Sequence, residues 1–429
     1  MERNFVIKKG LDLKLEGEAA RTLDSLLLRT EVALQPADFQ GVVPRVRVKE
    51  GESVQAGTPL FVDKQTEQIC FVSPVSGTVT LVERGERRKV LSIRVQPDSK
   101  QVSREFGVQN WEKFSGEEMK KLLLESGMFA FFRQRPYDVT ACPTDTPKAI
   151  FVSAFNKMPL AADFSYVVEG QEEDFKNGIR ALSKLAKVHL GISGEQINTG
   201  ILPIKEAEVS VFDGPNPAGN VGVQINHIDP INKGEVAWTM AAEEVIFIGR
   251  LLRTGKVDFT RRIALAGSEV KEPRYMEVTL GAKIGDIVNG NLLEAKHLQR
   301  IIRQSACGPS CLRKVLSRRP HYGSLHFARR RRRERGFRLD YAAFEAVFDQ
   351  PQLFQLVDGQ EIVESRLPRE GWRASHDYER RIRACFPDGH LSVVSHQGHH
   401  LGRHRPSGSP RHLRGGTGRF RRGGVYLQQ

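Results

Sequence analysis

Cysteine is scarce in this chain of 429 residues, with five at positions 70, 142, 307, 311 and 385. An odd, scattered set gives no disulfide framework and points to a reducing compartment. Long apolar runs are missing too. The most apolar stretch, AAEEVIFIGRLL at 241–252, carries two Glu and one Arg, far from the roughly 18–20 uncharged apolar residues that cross a bilayer. The opening MERNFVIKKGLDLKLEG lacks the apolar centre of a secretory signal. A cytosolic chain is therefore expected, with any membrane contact made through a partner. Before residue 300 the only histidines are His189, His227 and His297. None has a Cys or carboxylate at metal-ligand spacing. Cys307-x3-Cys311 has no second pair, so neither zinc nor an iron–sulfur cluster is expected.

Lysine nearly vanishes after residue 303. Residues 1–303 hold 41 Lys+Arg against 40 Asp+Glu, a formal charge of +1, whereas residues 304–429 hold 24 against 11, or +13. Of those 24 basic residues 23 are Arg, and nine of the twelve His fall there as well. The composition admits a basic arm that binds nucleic-acid phosphates. It also admits translation of a GC-rich gene in the wrong frame. Its weak periodicity predicts disorder in either case.

Before that break the chain reads as an ordinary folded protein, long enough for two or three cores. Residues 42–95 alternate apolar and polar positions between turns at Glu50-Gly51-Glu52, Ser76-Gly77 and Arg84-Gly85, which predicts a small barrel or sandwich. The period changes after 115. Ser115 with Glu118 three residues on forms a capping box, an apolar ridge follows, and Gly127 ends it. KAIFVSAF at 148–155 suits a buried strand, and Phe175, Ile179, Leu182 and Leu185 share one helical face. Further strands and a helix at roughly 241–253, stopped by Gly255, complete a doubly wound α/β pattern.

Several segments carry a resemblance: KKGLDLKLEG at 8–17, LFVDK at 60–64 with SPVSGTV at 73–79, RQRP at 133–136, KAIFVSAF, VFDGPNPAG at 211–219 and LAGSEVKEPR at 265–274. In this order they resemble the A subunit of the sodium-translocating NADH:quinone oxidoreductase (Na+-NQR), a bacterial respiratory membrane complex, over residues 5–303. The resemblance implies a multidomain α/β (α+β) chain. Residues 1–100 are expected to hold a biotinyl/lipoyl-like barrel and 101–260 a Rossmann-like domain. Residues 261–303 would begin a β-grasp-like segment, and 304–429 form the aberrant tail. It also implies a peripheral subunit on the cytoplasmic side of the inner membrane, among the other subunits of a six-subunit complex. There it would act where ubisemiquinone becomes ubiquinol, in NADH oxidation coupled to sodium export. Ubiquinone is the expected substrate. NADH, flavins and iron–sulfur centres are expected on other subunits, with no metal and no nucleic acid here. The alternative is a redox-inactive scaffold of a related electron-transport complex.

Two sets of residues follow from that family. Phe131, Phe132, Arg133, Arg135 and Tyr137 combine aromatic faces with guanidinium groups, which suits a flat quinone head and its carbonyl oxygens. The same residue types also suit a helix end whose Phe enter the core while the Arg stay solvated. Asp213, Gly214, Pro215, Pro217 and Gly219 form a loop that is neither GxxxxGK(S/T) nor GxGxxG. Its two Pro remove amide donors, so it is expected to be a rigid loop packing between layers or against a partner subunit. Lys64 resembles a carrier lysine only loosely and is expected to be a solvated turn residue. No catalytic residue is expected.

The tail lacks the family's MDIYP and LGIYEV signatures. Read one nucleotide out of frame with suitable synonymous codons, PDGHLS at 387–392 becomes RMDIYP. In that frame RHRPSGSPRHLRGGTG at 403–418 becomes AIDRVEALGIYEVERV. A frame shift near Arg303 is therefore expected.

Overall fold

In the computed structural model the alternating segment builds two small facing sheets. One has the order Val32–Leu34, Val90–Pro97, Gly77–Arg84, Ser53–Val54, and the other Pro44–Val46, Pro59–Asp63, Cys70–Val72. The structure describes residues 3–293 except 11, 13, 14, 26–30 and 269, with the backbone of 298–302, 305–306 and 324–329. On the second of these sheets the cross-strand partners Phe61 and Phe71 stack at 4.4 Å, and Phe39 meets Phe71 edge-on at 4.5 Å. The Asp63 carboxylate accepts from the Val43 and Thr66 amides, tying the turn after its strand. Lys64 is exposed on that turn.

Helix α1 (Gly116–Glu125) starts on the expected capping box. Ser115 Oγ accepts from the Glu118 amide and Glu118 from the Ser115 amide, so two otherwise orphaned donors are satisfied. Gly127 adopts φ 75° just past its end.

The second sheet system has seven strands: Arg3–Val6, Glu208–Asp213, Val188–Ile192, Ile150–Ser153, Ala237–Ala241, Arg133–Arg135, Val139–Thr140. The first five run parallel and the last two form an antiparallel hairpin. Side chains alternate between its faces, as the pleat requires. Ile150, Val152, Leu190, Trp238 and Met240 pack with α3 (Glu172–Ser183) and α5 (Ala242–Thr254). Phe151, Phe212 and Ala237 pack with α4 (Val221–Ile228) on the other face. Short α2 (Phe164–Val167) precedes α3. The sheet is thus doubly wound, and Phe175, Ile179 and Leu182 are the buried ridge of α3, as their spacing predicts. Leu185 follows the helix end and is partly buried. Helices α3 and α5 cross where glycines meet backbone. A Cβ on Gly249 would lie 1.7 Å from Asp174 O, and one on Gly178 would lie 2.2 Å from Val245 O.

Strands Thr260–Ala266 and Arg274–Thr279 form a third sheet with Ala20–Ser25 and with backbone strands at 298–302, 305–306 and 324–329. Ile263, Leu265, Met276 and Val278 close on Ile284 and Ile287 of α6 (Ile284–Ile287). Charges join this sheet to the α/β layer. Arg261 pairs with Glu243 with both side chains buried, and Arg262 donates to the carbonyls of Tyr166, Val167 and Glu169 at the end of α2. The mixed α/β architecture with an amino-terminal barrel is the expected one. The disorder expected of 304–429 and any role of His297 lie outside the described residues.

Candidate functional site

The MFAFFRQRPY segment (128–137) divides by sequence position into an inside and an outside. A 3-10 turn over Met128–Phe131 is fully buried. Phe131 packs against Phe247 and Phe259 at 5.7 and 5.5 Å, while Phe132 packs against Phe129 and Trp238 at 5.1 and 5.4 Å. Both rings are therefore enclosed by core aromatics and buried. The chain then leaves the core as the strand Arg133–Arg135. Between the two arginines Gln134 points inward, accepting from Trp238 Nε1 and Cys142 N and donating to Asp145.

Arg133 and Arg135 lie on the opposite side of that strand and share one carboxylate. Arg133 Nη2 lies 2.6 Å from Asp138 Oδ2, and Arg135 Nη2 lies 3.3 Å from Asp138 Oδ1. Arg133 also donates to the Asp138 carbonyl and to Gln40 of the barrel at 3.1 Å. Tyr137, between Arg135 and Asp138 in sequence, is 78% exposed. The five residues thus form two groups: Phe131 and Phe132 inside, and Arg133, Arg135 and Tyr137 at the surface. Asp138 and Gln40 order the surface group, and neither was expected from the sequence. Asp138 is signalled only by its place three residues after Arg135. Gln40 carries no signal, because it reaches Arg133 from a turn of the amino-terminal barrel domain, 93 residues away in sequence.

The Pro/Gly loop sits among segments of its own chain. Asp213 Oδ1 accepts from Gly194 N at 3.2 Å, and Asp213 O accepts from Ile7 N at 2.8 Å. Gly214 has φ 122°, and a Cβ there would lie 2.2 Å from Ile7 O. Asn216 N donates to Asp12 at 2.8 Å, and Pro215 and Pro217 carbonyls accept from Ala218 and Asn220 amides. At Gly219 a Cβ would meet Asn156 Cα at 2.9 Å. The amides of Asn216, Ala218 and Asn220 are spent on these contacts, and the loop ends by capping α4 through Asn220.

Of the isolated histidines, His189 is buried, stacked on Phe151 at 4.8 Å, with Nδ1 3.5 Å from Glu208 Oε2. Burial pushes its pKa below the usual imidazole range, opposed by the Glu208 charge. Among the described residues no three His, Cys, Asp or Glu side chains gather as metal ligands. No helix there is long and apolar enough to cross a membrane.

An amino-terminal barrel sandwich followed by a doubly wound α/β layer and a third β segment defines the class, a multidomain mixed α/β subunit. Residues 5–98 match the NqrA N-terminal barrel-sandwich hybrid domain, 114–257 the NqrA second alpha/beta domain and 262–303 the NQRA C-terminal domain. The chain belongs to the NqrA family, the A subunit of the Na+-translocating NADH-quinone reductase, an oxidoreductase complex. The Haemophilus influenzae relative is 35% identical over 310 residues, covering 71% of this chain and 69% of that protein. The Neisseria meningitidis relative is 36% identical over 297 residues, with 67% and 65% covered. That of Hahella chejuensis is 36% identical over 289 residues, also with 67% and 65% covered. The chain therefore spans about two thirds of the length of these relatives. A NAD+-reducing nickel–iron hydrogenase in its hydrogen-reduced state aligns at 14% identity and a TM-score of 0.36, over 66% of this chain and 62% of that one.

Proposed function

We propose that this chain serves at the quinone-reducing end of the sodium pump, as a peripheral subunit on the cytoplasmic side of the bacterial inner membrane. The complex would pass electrons from NADH to ubiquinone and export sodium, with the other five subunits carrying the membrane spans and the NADH, flavin and iron–sulfur chemistry. The observation that carries this reading is the family relation across residues 5–303. The geometry adds a surface that suits a quinone edge. Arg133 and Arg135, held by Asp138, present guanidinium donors, and the exposed Tyr137 follows two residues after Arg135 in sequence. A quinone there would be held by hydrogen bonds to its carbonyl oxygens, because Phe131 and Phe132 are buried among core aromatics. The loop of Asp213, Gly214, Pro215, Pro217 and Gly219 would hold layers together rather than bind substrate.

Photo-crosslinking with a quinone analogue in the assembled complex tests this. Labelling within 128–137 supports the reading. Labelling confined to other subunits would leave the alternative, a redox-inactive scaffold.

A further inference from the structure

The barrel carries a feature that its fold does not require. Strands Gly77–Arg84 and Val90–Pro97 pair with each other over their whole length. Their outer neighbours stop early, with Ser53–Val54 reaching only residues 77–78 and Val32–Leu34 only 93–95. The far half of the hairpin therefore runs on as two strands past both neighbours, with one face resting on the core through Val90 and the tip beyond it. Its tip, Arg84-Gly85-Glu86-Arg87-Arg88-Lys89, holds four cations against one carboxylate. Most surface arginines elsewhere rest on carboxylates: Arg21 on Asp163, Arg45 and Arg47 on Glu67, Arg94 on Glu83, Arg180 on Glu206, Arg274 on Asp24. Among the described residues Arg84, Arg87, Arg88 and Lys89 rest on none. Two leucines flank the tip in water, Leu81 at 36% and Leu91 at 40% exposure.

The turn itself is shaped against its own sequence. Lys89 N donates to Glu86 O at 3.1 Å, and both central residues have positive φ, Arg87 at 53° and Arg88 at 59°. That is the signature of a type I′ turn, for which Asn-Gly is the favoured pair because both positions are left-handed. Two arginines stand there instead, so the tip presents guanidinium groups where backbone economy would place Asn-Gly.

We propose that this hairpin tip is a docking surface for a layer of anionic phospholipid headgroups. Guanidinium and ammonium groups with no carboxylate partner suit phosphate, and leucines at the edge of a basic patch suit the boundary between headgroup and acyl chain. The hairpin would hold a subunit without a spanning helix among its described residues against the bilayer of its complex. The proposal rests on the family placement alone and is independent of where quinone binds.

The test uses the full chain, whose Arg-rich residues 304–429 can also attract vesicles, so the readout is local. Leu91→Trp provides an indole at the tip, read as the difference from the unsubstituted chain. Bromine-labelled lipid in phosphatidylcholine–phosphatidylglycerol vesicles should quench it, and phosphatidylcholine vesicles should not, with quenching lost at high salt. Arg87→Asn/Arg88→Gly restores the favoured turn, so the hairpin stays folded while two charges go. Partitioning should weaken about fivefold per charge, or on the order of 25-fold. Vesicle binding with the indole unquenched, or unchanged partitioning of the double variant, overturns the proposal. Loss of complex assembly in the double variant with no vesicle effect also overturns it, and assigns the tip to an acidic protein surface.

Discussion

Gly249 of α5 lies so close to Asp174 of α3 that a Cβ on the glycine would stand 1.7 Å from the aspartate carbonyl oxygen. The obstacle is backbone, which cannot swing aside, so the two helices would have to separate. Overpacking of this kind costs about 1–3 kcal/mol, offset by about 1 kcal/mol of helix propensity gained from Ala. Gly249→Ala should therefore lose about 1 kcal/mol of stability, and at most about 2, seen as a lower urea midpoint with an unchanged slope. An unchanged midpoint would show that the crossing relaxes freely.

The first turn of the same α5 carries a buried ion pair to the strand Thr260–Ala266. Arg261 and Glu243 are 2% and 10% exposed at their side chains. Removing one partner strands a buried charge, so Glu243→Gln should cost about 3–5 kcal/mol. Replacing both, Glu243→Met with Arg261→Met, should recover most of that loss. Equal losses in the single and double variants, measured by denaturant unfolding, would contradict this.

Acid should weaken the fold from a higher pH than carboxylates alone explain. Burial lowers the pKa of His189, so the unfolded chain binds this proton more readily than the folded one. Stability therefore falls as pH drops below the unfolded value of about 6.5, by at most about 1.4 kcal/mol per pH unit for one proton. Glu208, held low chiefly by its hydrogen bond to Lys187, adds its own loss only further into acid. His189→Phe keeps a ring on Phe151 and should flatten the upper part of the profile. Parallel profiles for the two proteins would rule His189 out.

At the surface hairpin, Arg135→Gln should raise the quinone KM of the assembled complex about tenfold, the scale of one hydrogen bond to a charged group. Reduction of an artificial acceptor by NADH should be unaffected. A fall in both activities would indicate an assembly defect.

Beyond residue 303, where the family matches end, the expectation is a shifted frame. DNA sequencing across codons 295–312 should show that one inserted or deleted nucleotide restores the family's reading frame. An intact long frame in independent clones would exclude it. If the shift occurs in the cell, the third sheet should assemble poorly, giving low solubility or no incorporation into the complex.

Local signals were legible in the sequence and distant partnerships were not. The capping box at Ser115, the stops at Gly127 and Gly255 and the α3 ridge lie within a few residues of their cause, so pattern alone finds them. The barrel's strands were visible from residue 42, but Val32–Leu34 was not, since three apolar residues become a strand only beside Val90–Pro97. Phe131 and Phe132 show the limit at the candidate site. Aromatic residues next to arginines read the same whether the rings face a ligand or the core, and only Phe247, Phe259, Phe129 and Trp238 decide. The pairing of Arg3–Val6 with Glu208–Asp213 had no local signal at all.

That pairing makes the chain nested. The outer strand of the α/β sheet is made first and its neighbour some 200 residues later, with Arg3 opposite Ser210. At roughly 5–20 residues per second on the ribosome, the first strand waits on the order of 10–40 s for its partner. The barrel can close within that interval as a self-contained loop. A bulky fusion at the amino terminus would therefore burden the rim of a sheet in the following domain and leave the barrel beside it undisturbed.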